Sequence, residues 1–309
     1  MDALRNAVSD FLRLRSIDRH RSRIGWRAPR YFRYLARAQA AYDGPLPMAG
    51  DLSGAIAQFA RDGVTAFQND TTEAIADKMM ARISERENAG ETLWDADKHE
   101  IGNQNYAGDL WKDFPEIEDL FRGPVGTFLN HHFQASFKIL YGVLYRSTGG
   151  ERAPSGSQRW HSDSGPGICV NVMFYLHETS HENGTLEALP WAFSRDIYAA
   201  EPAAIRARAR TEGVDPRSAE RFRLMADFYD DAITEELRQT VIRPQGRAGV
   251  VVPFLNNTLH RGGFPEPGYT RTAIVFHCYP SHEPTDFERY RRLGINKSAP
   301  YPRDPAEKF

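Results

Sequence analysis

Beyond residue 133 the apolar residues of this chain change period. Segments 134–146 (QASFKILYGVLYR), 168–176 (ICVNVMFYL), 185–189 (TLEAL), 248–255 (AGVVVPFL) and 270–279 (TRTAIVFHCY) are short and rich in β-branched and aromatic residues. Gly/Pro turns separate them, and one polar helical stretch, about 201–239, interrupts the series. Strands that do not alternate with helices argue against a parallel α/β sheet. They predict a mainly β fold with flanking helices. The expected architecture is a double-stranded β-helix, the jelly-roll or cupin-type barrel, backed by an N-terminal helical layer.

Helix signals fill the first part of the chain. Leu4, Val8, Phe11, Leu12 and Leu14 lie near 3.6-residue spacing over 2–15. A second helix is expected over 29–42, opened by Pro29, which suits a first turn. GPLPMAG, 44–50, is a break, so the chain divides into a helical extension, 1–48, and one barrel domain, 49–309, carrying the insertion at about 201–239. Residues 51–63 read as a helix stopped by Gly63, 64–67 (VTAF) as a short strand, and 71–88 as a strong helix capped by Thr71 or Thr72. The stretch 87–113 is polar and irregular, and 115–132 is a helix disturbed by Gly123-Pro124.

Composition narrows the function classes. The chain has 309 residues, 41% hydrophobic and 26% charged, enough to bury a substantial core. A net charge of −2 gives no global attraction to nucleic acid. Nine arginines and one acid, Asp18, lie between Arg13 and Arg37; this reads as a solvated helical extension, with an acidic partner or phosphate as the alternative. Cys169 and Cys278 are isolated, with no CxxC spacing, which argues against a zinc ribbon or a disulfide scaffold. The first residues lack a signal-peptide apolar core, and no window approaches the ~20 apolar residues needed to span a bilayer. A cytoplasmic protein acting on a small molecule, with no nucleic-acid or membrane partner, is expected. Nothing in the sequence fixes the oligomeric state.

The chemistry concentrates in RWHSDSGPG, 159–167. His161 and Asp163 are two residues apart, so on an extended chain they share a face. His260 follows a predicted strand and precedes a Gly/Pro-rich turn, and Arg271 opens the next strand eleven residues on. Two His and one carboxylate with open positions left over form the facial triad of non-haem Fe(II) oxygenases. Three protein ligands on one face leave the opposite face for a chelating co-substrate and O2. A guanidinium fork binds a carboxylate through two hydrogen bonds, so Arg271 suits the distal carboxylate of 2-oxoglutarate.

WHSD at 160–163, HENGTLEALPWAFSR at 181–195 and LHRGGFPEPGYTRTA at 259–273 resemble the phytanoyl-CoA dioxygenase family of Fe(II)/2-oxoglutarate oxygenases. FARDGVTAF at 59–67 resembles that family's opening helix and strand, and the resemblance spans about 51–281. It implies Fe(II) held by His161, Asp163 and His260, 2-oxoglutarate clamped by Arg271, and O2 as the second co-substrate. The implied activity is oxidation, most often hydroxylation, of an unactivated C–H bond in a small organic metabolite, releasing succinate and CO2. A carboxylate at 163 excludes the halogenating variant, which needs that position small. Many members carry a hydroxyl residue two past the distal His; this chain has Gly262 there, so that contact to the co-substrate is missing or supplied elsewhere.

Other positions have two readings. Asn171 shares a strand face with Cys169, Met173 and Tyr175; it is a candidate donor to the C1 carboxylate of 2-oxoglutarate, or a polar residue at the core edge. Lys138 is a candidate second clamp. Tyr141 and Tyr145 line the pocket or pack. His277 has the parity of Arg271 and reads as a core histidine. His177 and His181 have helical metal spacing but sit in a turn-like segment. The insertion forms a lid or a peripheral helix pair. The competing functions are a non-catalytic β-barrel ligand-binding or sensor protein and a cupin-type metal-dependent isomerase or hydrolase; neither requires the clamp that Arg271 offers.

Overall fold

The computed structural model describes residues 28–44, 50–95, 102–150, 154, 156–163, 169–215 and 220–293. The helix expected over 2–15 and most of the arginine-rich segment lie outside these residues. Helix α1 (Ala28–Ala41) comes first, and a 3₁₀ turn at Gly50–Leu52 leads into α2 (Ser53–Asp62). Gly63 stops α2 in the left-handed region at φ 71°, its N–H donating to the carbonyl of Phe59. Helix α3 (Asp70–Asn88) is capped by Asn69, not by Thr71 or Thr72. The Asn69 side chain accepts from the Thr72 N–H at 3.0 Å, and Thr72 returns a bond to the Asn69 N–H at 3.0 Å. Asn69 is extended, at φ −155°, the geometry a cap requires; Thr72 is already three residues inside the helix.

The polar stretch that follows contains β1 (Asn103–Asn105) and α4 (Leu110–Asp113). The helix expected over 115–132 is two helices, α5 (Glu116–Arg122) and α6 (Pro124–Phe133). Gly123 leaves helical geometry at ψ −125°, and Pro124, which has no N–H to lose, starts the next helix.

The remaining strands are β2 (Ser136–Thr148), β3 (Val170–Tyr175), β4 (Leu186–Ala188), β5 (Val251–Leu255), β6 (His260–Gly262) and β7 (Thr270–Ser281). Five of them form an antiparallel sheet in the order β1-β2-β7-β3-β5. A second antiparallel ladder pairs β4 with β6. Bridges His161↔His260 and Ala188↔Ile242 widen it on either side. From β2 onward the chain passes between the two sheets: β2 in the first, His161 in the second, β3 in the first, β4 and Ile242 in the second, then β5, β6 and β7 by turns. That winding is a double-stranded β-helix, and a jelly-roll barrel with flanking helices is the observed class. Between β4 and β5 the chain leaves the barrel for α7 (Trp191–Glu212), α8 (Glu220–Ala232) and α9 (Glu235–Arg238). Helix α7 begins after Pro190 and runs through Pro202. Helix α10 (Phe287–Leu293) follows β7. No helix among the described residues is long and apolar enough to cross a membrane.

Strand parity separates two interiors. Val170, Val172 and Phe174 of β3 join Ile274, Phe276 and Cys278 of β7 in the cluster under helices α2 to α6. Met173 and Tyr175 turn the other way, with Phe254 and Ala273, into the barrel. Both faces of the five-stranded sheet are thus covered, which is why β3 reads as one apolar run. Deleting a buried ring such as Phe174 costs about 3–5 kcal/mol. A register shift between Ile139 and Tyr141 marks a bulge in β2. The Ile139 N–H is satisfied there by the Tyr290 hydroxyl of α10 at 2.8 Å. Past the bulge, Tyr141 lies opposite His277 and stacks on it, ring centres 4.1 Å apart.

Candidate metal centre and its cavity

The second sheet delivers His161 and His260 side by side. Each backbone N–H donates to the other's carbonyl, at 2.9 and 2.8 Å, and the rings lie 4.4 Å apart. Asp163 is fixed by its own N–H, which donates to the Asn256 carbonyl at 2.9 Å. The His161 Nε2 is 3.8 Å from Asp163 Oδ1, and the His260 Nε2 is 3.7 Å from Asp163 Oδ2. One ligand atom from each of the three lies within 4.8 Å of the others, so the group could hold a metal ion.

Both imidazoles are oriented for that role by backbone carbonyls. His161 Nδ1 lies 2.8 Å from the Arg159 carbonyl, and His260 Nδ1 lies 2.7 Å from the Thr258 carbonyl. A carbonyl only accepts, so Nδ1 carries the proton and Nε2 keeps its lone pair, facing Asp163. The Asn171 side-chain amide donates to Asp163 Oδ2. Asn171 therefore stands behind the carboxylate and directs it, rather than offering that N–H to a ligand in the cavity.

The triad opens on a cavity of about 270 Å³ that is also lined by Tyr141, Tyr145, Met173, Phe254, Arg271 and His277. Arg271 is 2% exposed and has no acidic partner among the described residues. Its Nη1 donates to the carbonyls of Gly184 and Gly263, the latter at 2.8 Å, and its Nη2 to the Ser147 hydroxyl at 3.1 Å. Its buried Nε has no partner among the described residues. A buried cation surrounded only by neutral acceptors calls for an anion in the cavity. Gly184 makes this seat possible: it holds φ 75°, and a Cβ there would lie 2.7 Å from the Gly263 carbonyl oxygen. At Gly262 a Cβ would lie 3.2 Å from Arg271 Nη2; the hydroxyl that reaches the guanidinium comes instead from Ser147, across the sheet.

Other expected positions fall as follows. Lys138 lies opposite Tyr279 on β2, before the bulge, and outside the cavity lining. His277 does line the cavity; burial pulls its pKa down to about 4, against a weaker upward pull from Asp163. It is neutral near pH 7. His177 serves the fold: its Nε2 accepts from the Thr272 N–H at 2.6 Å, so it is committed away from metal. Cys169 and Cys278 are buried and form no disulfide.

Three contributors escape sequence inspection. Asn103 and Asn105 of β1 line the cavity, and the side-chain Oδ1 of Asn103 accepts from the Ser147 hydroxyl at 2.5 Å. Their only signal is the alternation N-Q-N, too short and too polar to read as a strand. Ser147 lies one residue past the strand expected over 134–146, with the parity of Tyr145, and nothing local ties it to Arg271.

No family model matches the chain, and no curated protein matches it. Solved structures similar to it include the non-heme alpha ketoglutarate dependent epimerase SnoN from nogalamycin biosynthesis, at 14% identity and a TM-score of 0.49, over 75% of this chain and 83% of that one. The carbocyclase SnoK of the same biosynthesis is 16% identical, at a TM-score of 0.49 over 77% and 91%. EctD from S. alaskensis, solved with 2-oxoglutarate and 5-hydroxyectoine, is 16% identical, at 0.47 over 77% and 78%. Similarity this distant assigns no activity to this chain.

Proposed function

We propose that this protein is an Fe(II)/2-oxoglutarate-dependent oxygenase of the phytanoyl-CoA dioxygenase type, built as one barrel domain over 49–309, that hydroxylates a C–H bond of a small organic metabolite. One observation carries the reading. A two-His-one-carboxylate group with ligand atoms within 4.8 Å shares its cavity with a buried arginine that lacks a carboxylate partner among the described residues. The donor set fits the metal: imidazole and carboxylate suit Fe(II), and three ligands leave positions for a chelating co-substrate. Bound there, iron and 2-oxoglutarate would supply the oxidising chemistry for C–H hydroxylation, with succinate and CO2 as co-products.

The chain's own residues supply the geometry. His161 and His260 present Nε2 because their Nδ1 protons are engaged by the carbonyls of Arg159 and Thr258. Asn171 sets the carboxylate of Asp163. Arg271 pairs with the distal carboxylate of 2-oxoglutarate, and Ser147 and the two carbonyls keep its fork from swinging away. Met173, Val275 and Phe254 contribute apolar lining to the cavity, and the Phe254 ring lies 4.6 Å from that of His260.

The test is anaerobic. Fe(II) and then 2-oxoglutarate are added to metal-free protein and the visible spectrum is recorded. A weak charge-transfer band, absent in Asp163→Ala and weakened in Arg271→Ala, is expected, with succinate formed once air is admitted. Iron-loaded, folded protein that gives neither band nor succinate would leave the binding-protein and isomerase readings in its place.

A further inference from the structure

Arg159 belongs to two structures at once. Its carbonyl holds Nδ1 of His161 at 2.8 Å. Its guanidinium reaches out of the barrel to α8, where Nε donates to Asp230 at 2.9 Å and Nη2 donates to Asp227 at 2.7 Å and to Asp230 at 2.5 Å. Asp227 and Asp230 are one turn apart, so the helix presents both carboxylates to one fork. Burial alone would raise the Asp227 carboxyl; Arg159, with Arg208 and Arg223, overcomes this and holds it below its ordinary value.

Helix α7 grips the other histidine's segment. The Ser194 hydroxyl donates to the Leu189 carbonyl at 3.0 Å and accepts from the Leu259 N–H at 3.1 Å. The Tyr198 hydroxyl donates to the Asn257 carbonyl. The two helices are tied to each other: the Tyr229 hydroxyl donates to the buried Glu201 at 2.6 Å, and Arg208 and Arg223 bridge to Asp231 and Glu212. The excursion between β4 and β5 therefore touches the residues that immediately precede both histidines of the triad.

We infer that the α7–α8 insertion is a positioning element of the metal centre, and that Arg159, gripped by Asp227 and Asp230, is the residue through which it sets His161. The inference rests on the metal-site reading above. Arg159 is a positioning residue: its side chain contacts neither cavity nor ligand atoms, and its effect passes through its own carbonyl to the imidazole. Interactions that orient a liganding histidine are worth 10–100-fold in metal affinity when removed.

The experiment titrates Co(II) into metal-free, full-length protein under argon and follows the visible d–d absorption. Asp163→Ala is the control for the metal site itself. Asp227→Asn/Asp230→Asn removes the grip while keeping size. Asp231→Asn, on the same helix as Asp227 and Asp230, breaks the ion pair to Arg208 of α7 without touching Arg159. The double variant is expected to bind Co(II) about 10-fold more weakly and to show an altered absorption envelope. Asp231→Asn should titrate like wild type. Arg159→Lys, which keeps the charge but cannot fork two carboxylates, should fall between. Equal affinity in the double variant and wild type overturns the inference, as does an equal loss in Asp231→Asn. If the double variant does not fold, Arg159→Lys decides by the same criterion. Undiminished binding by Asp163→Ala instead overturns the metal-site reading on which the inference stands.

Discussion

The side-chain amide of Asn171 donates to the carboxylate of Asp163 from a neighbouring strand, with Asn171 itself fully buried. The only acidic member of the triad is thereby aimed by a group eight residues away in sequence. Asn171→Leu keeps the size and removes the donor. Metal affinity, read by Co(II) titration, should fall about 10–100-fold. Unchanged affinity would show that the backbone bond from Asp163 to Asn256 is sufficient to orient it.

Arg271 invites a comparison between charge and shape. Arg271→Lys retains a cation but loses the fork, and Arg271→Ala loses both. Binding of 2-oxoglutarate, measured by isothermal titration with Co(II) present, should weaken about 10–100-fold in Arg271→Ala, as for loss of a charge-assisted pair. Affinity for the metal alone should stay near wild type. A fall in metal affinity with no change for 2-oxoglutarate would remove Arg271 from the co-substrate site.

Gly184 is the backbone condition for the Arg271 seat. A Cβ there adds a left-handed penalty and meets the Gly263 carbonyl. Gly184→Ala should cost about 2 kcal/mol, roughly 5 °C in Tm by calorimetry. It should also weaken 2-oxoglutarate binding, because the Gly184 carbonyl is one of the acceptors that hold the guanidinium. A loss of stability alone would separate the turn from the site.

His277 carries an acid-side stability slope. Its pKa lies at about 4 in the fold and near its ordinary 6.5 in the unfolded chain. Between those values the unfolded chain binds the extra proton, so stability falls as pH drops from about 6.5 to about 4 and is fully retained above. The interval corresponds to at most about 3 kcal/mol. His277→Phe keeps a ring against Tyr141 and should flatten this part of the profile in urea unfolding at stepped pH. An identical slope in the variant would place the proton uptake elsewhere.

The barrel was legible because its evidence is local. Strand-like runs, Gly63 and Gly123-Pro124 each announce themselves within a few residues, and His161 with Asp163 needs only the two-residue period of an extended chain. His260 and Arg271 could be added because one follows a predicted strand and the other opens the next, and the structure brings all four to one cavity. Asn103 was not legible: a strand of three polar residues has no amphipathic signature, and its place comes from pairing with β2. The grip of Asp227 and Asp230 on Arg159 was hidden for another reason. Ion pairs about 70 residues apart leave no trace in spacing, and both aspartates look like the solvated side of a helix. Asn171 was placed on the correct strand face, but whether its amide meets the cavity or Asp163 depends on a side-chain torsion that sequence does not specify.

Strand β3 keeps its two vocabularies apart. Val170, Val172 and Phe174 speak to the helices, while Asn171, Met173 and Tyr175 speak to the barrel interior. A substitution at Met173 alters the cavity without loosening the helical backing, and one at Val172 does the converse. Met173 is therefore the inward position of this strand open to change, because Asn171 bonds Asp163 and the Tyr175 hydroxyl accepts from the Leu186 N–H. A combinatorial library at Met173 of β3 and Val275 of β7 would reshape the cavity while sparing Asn171 and Arg271.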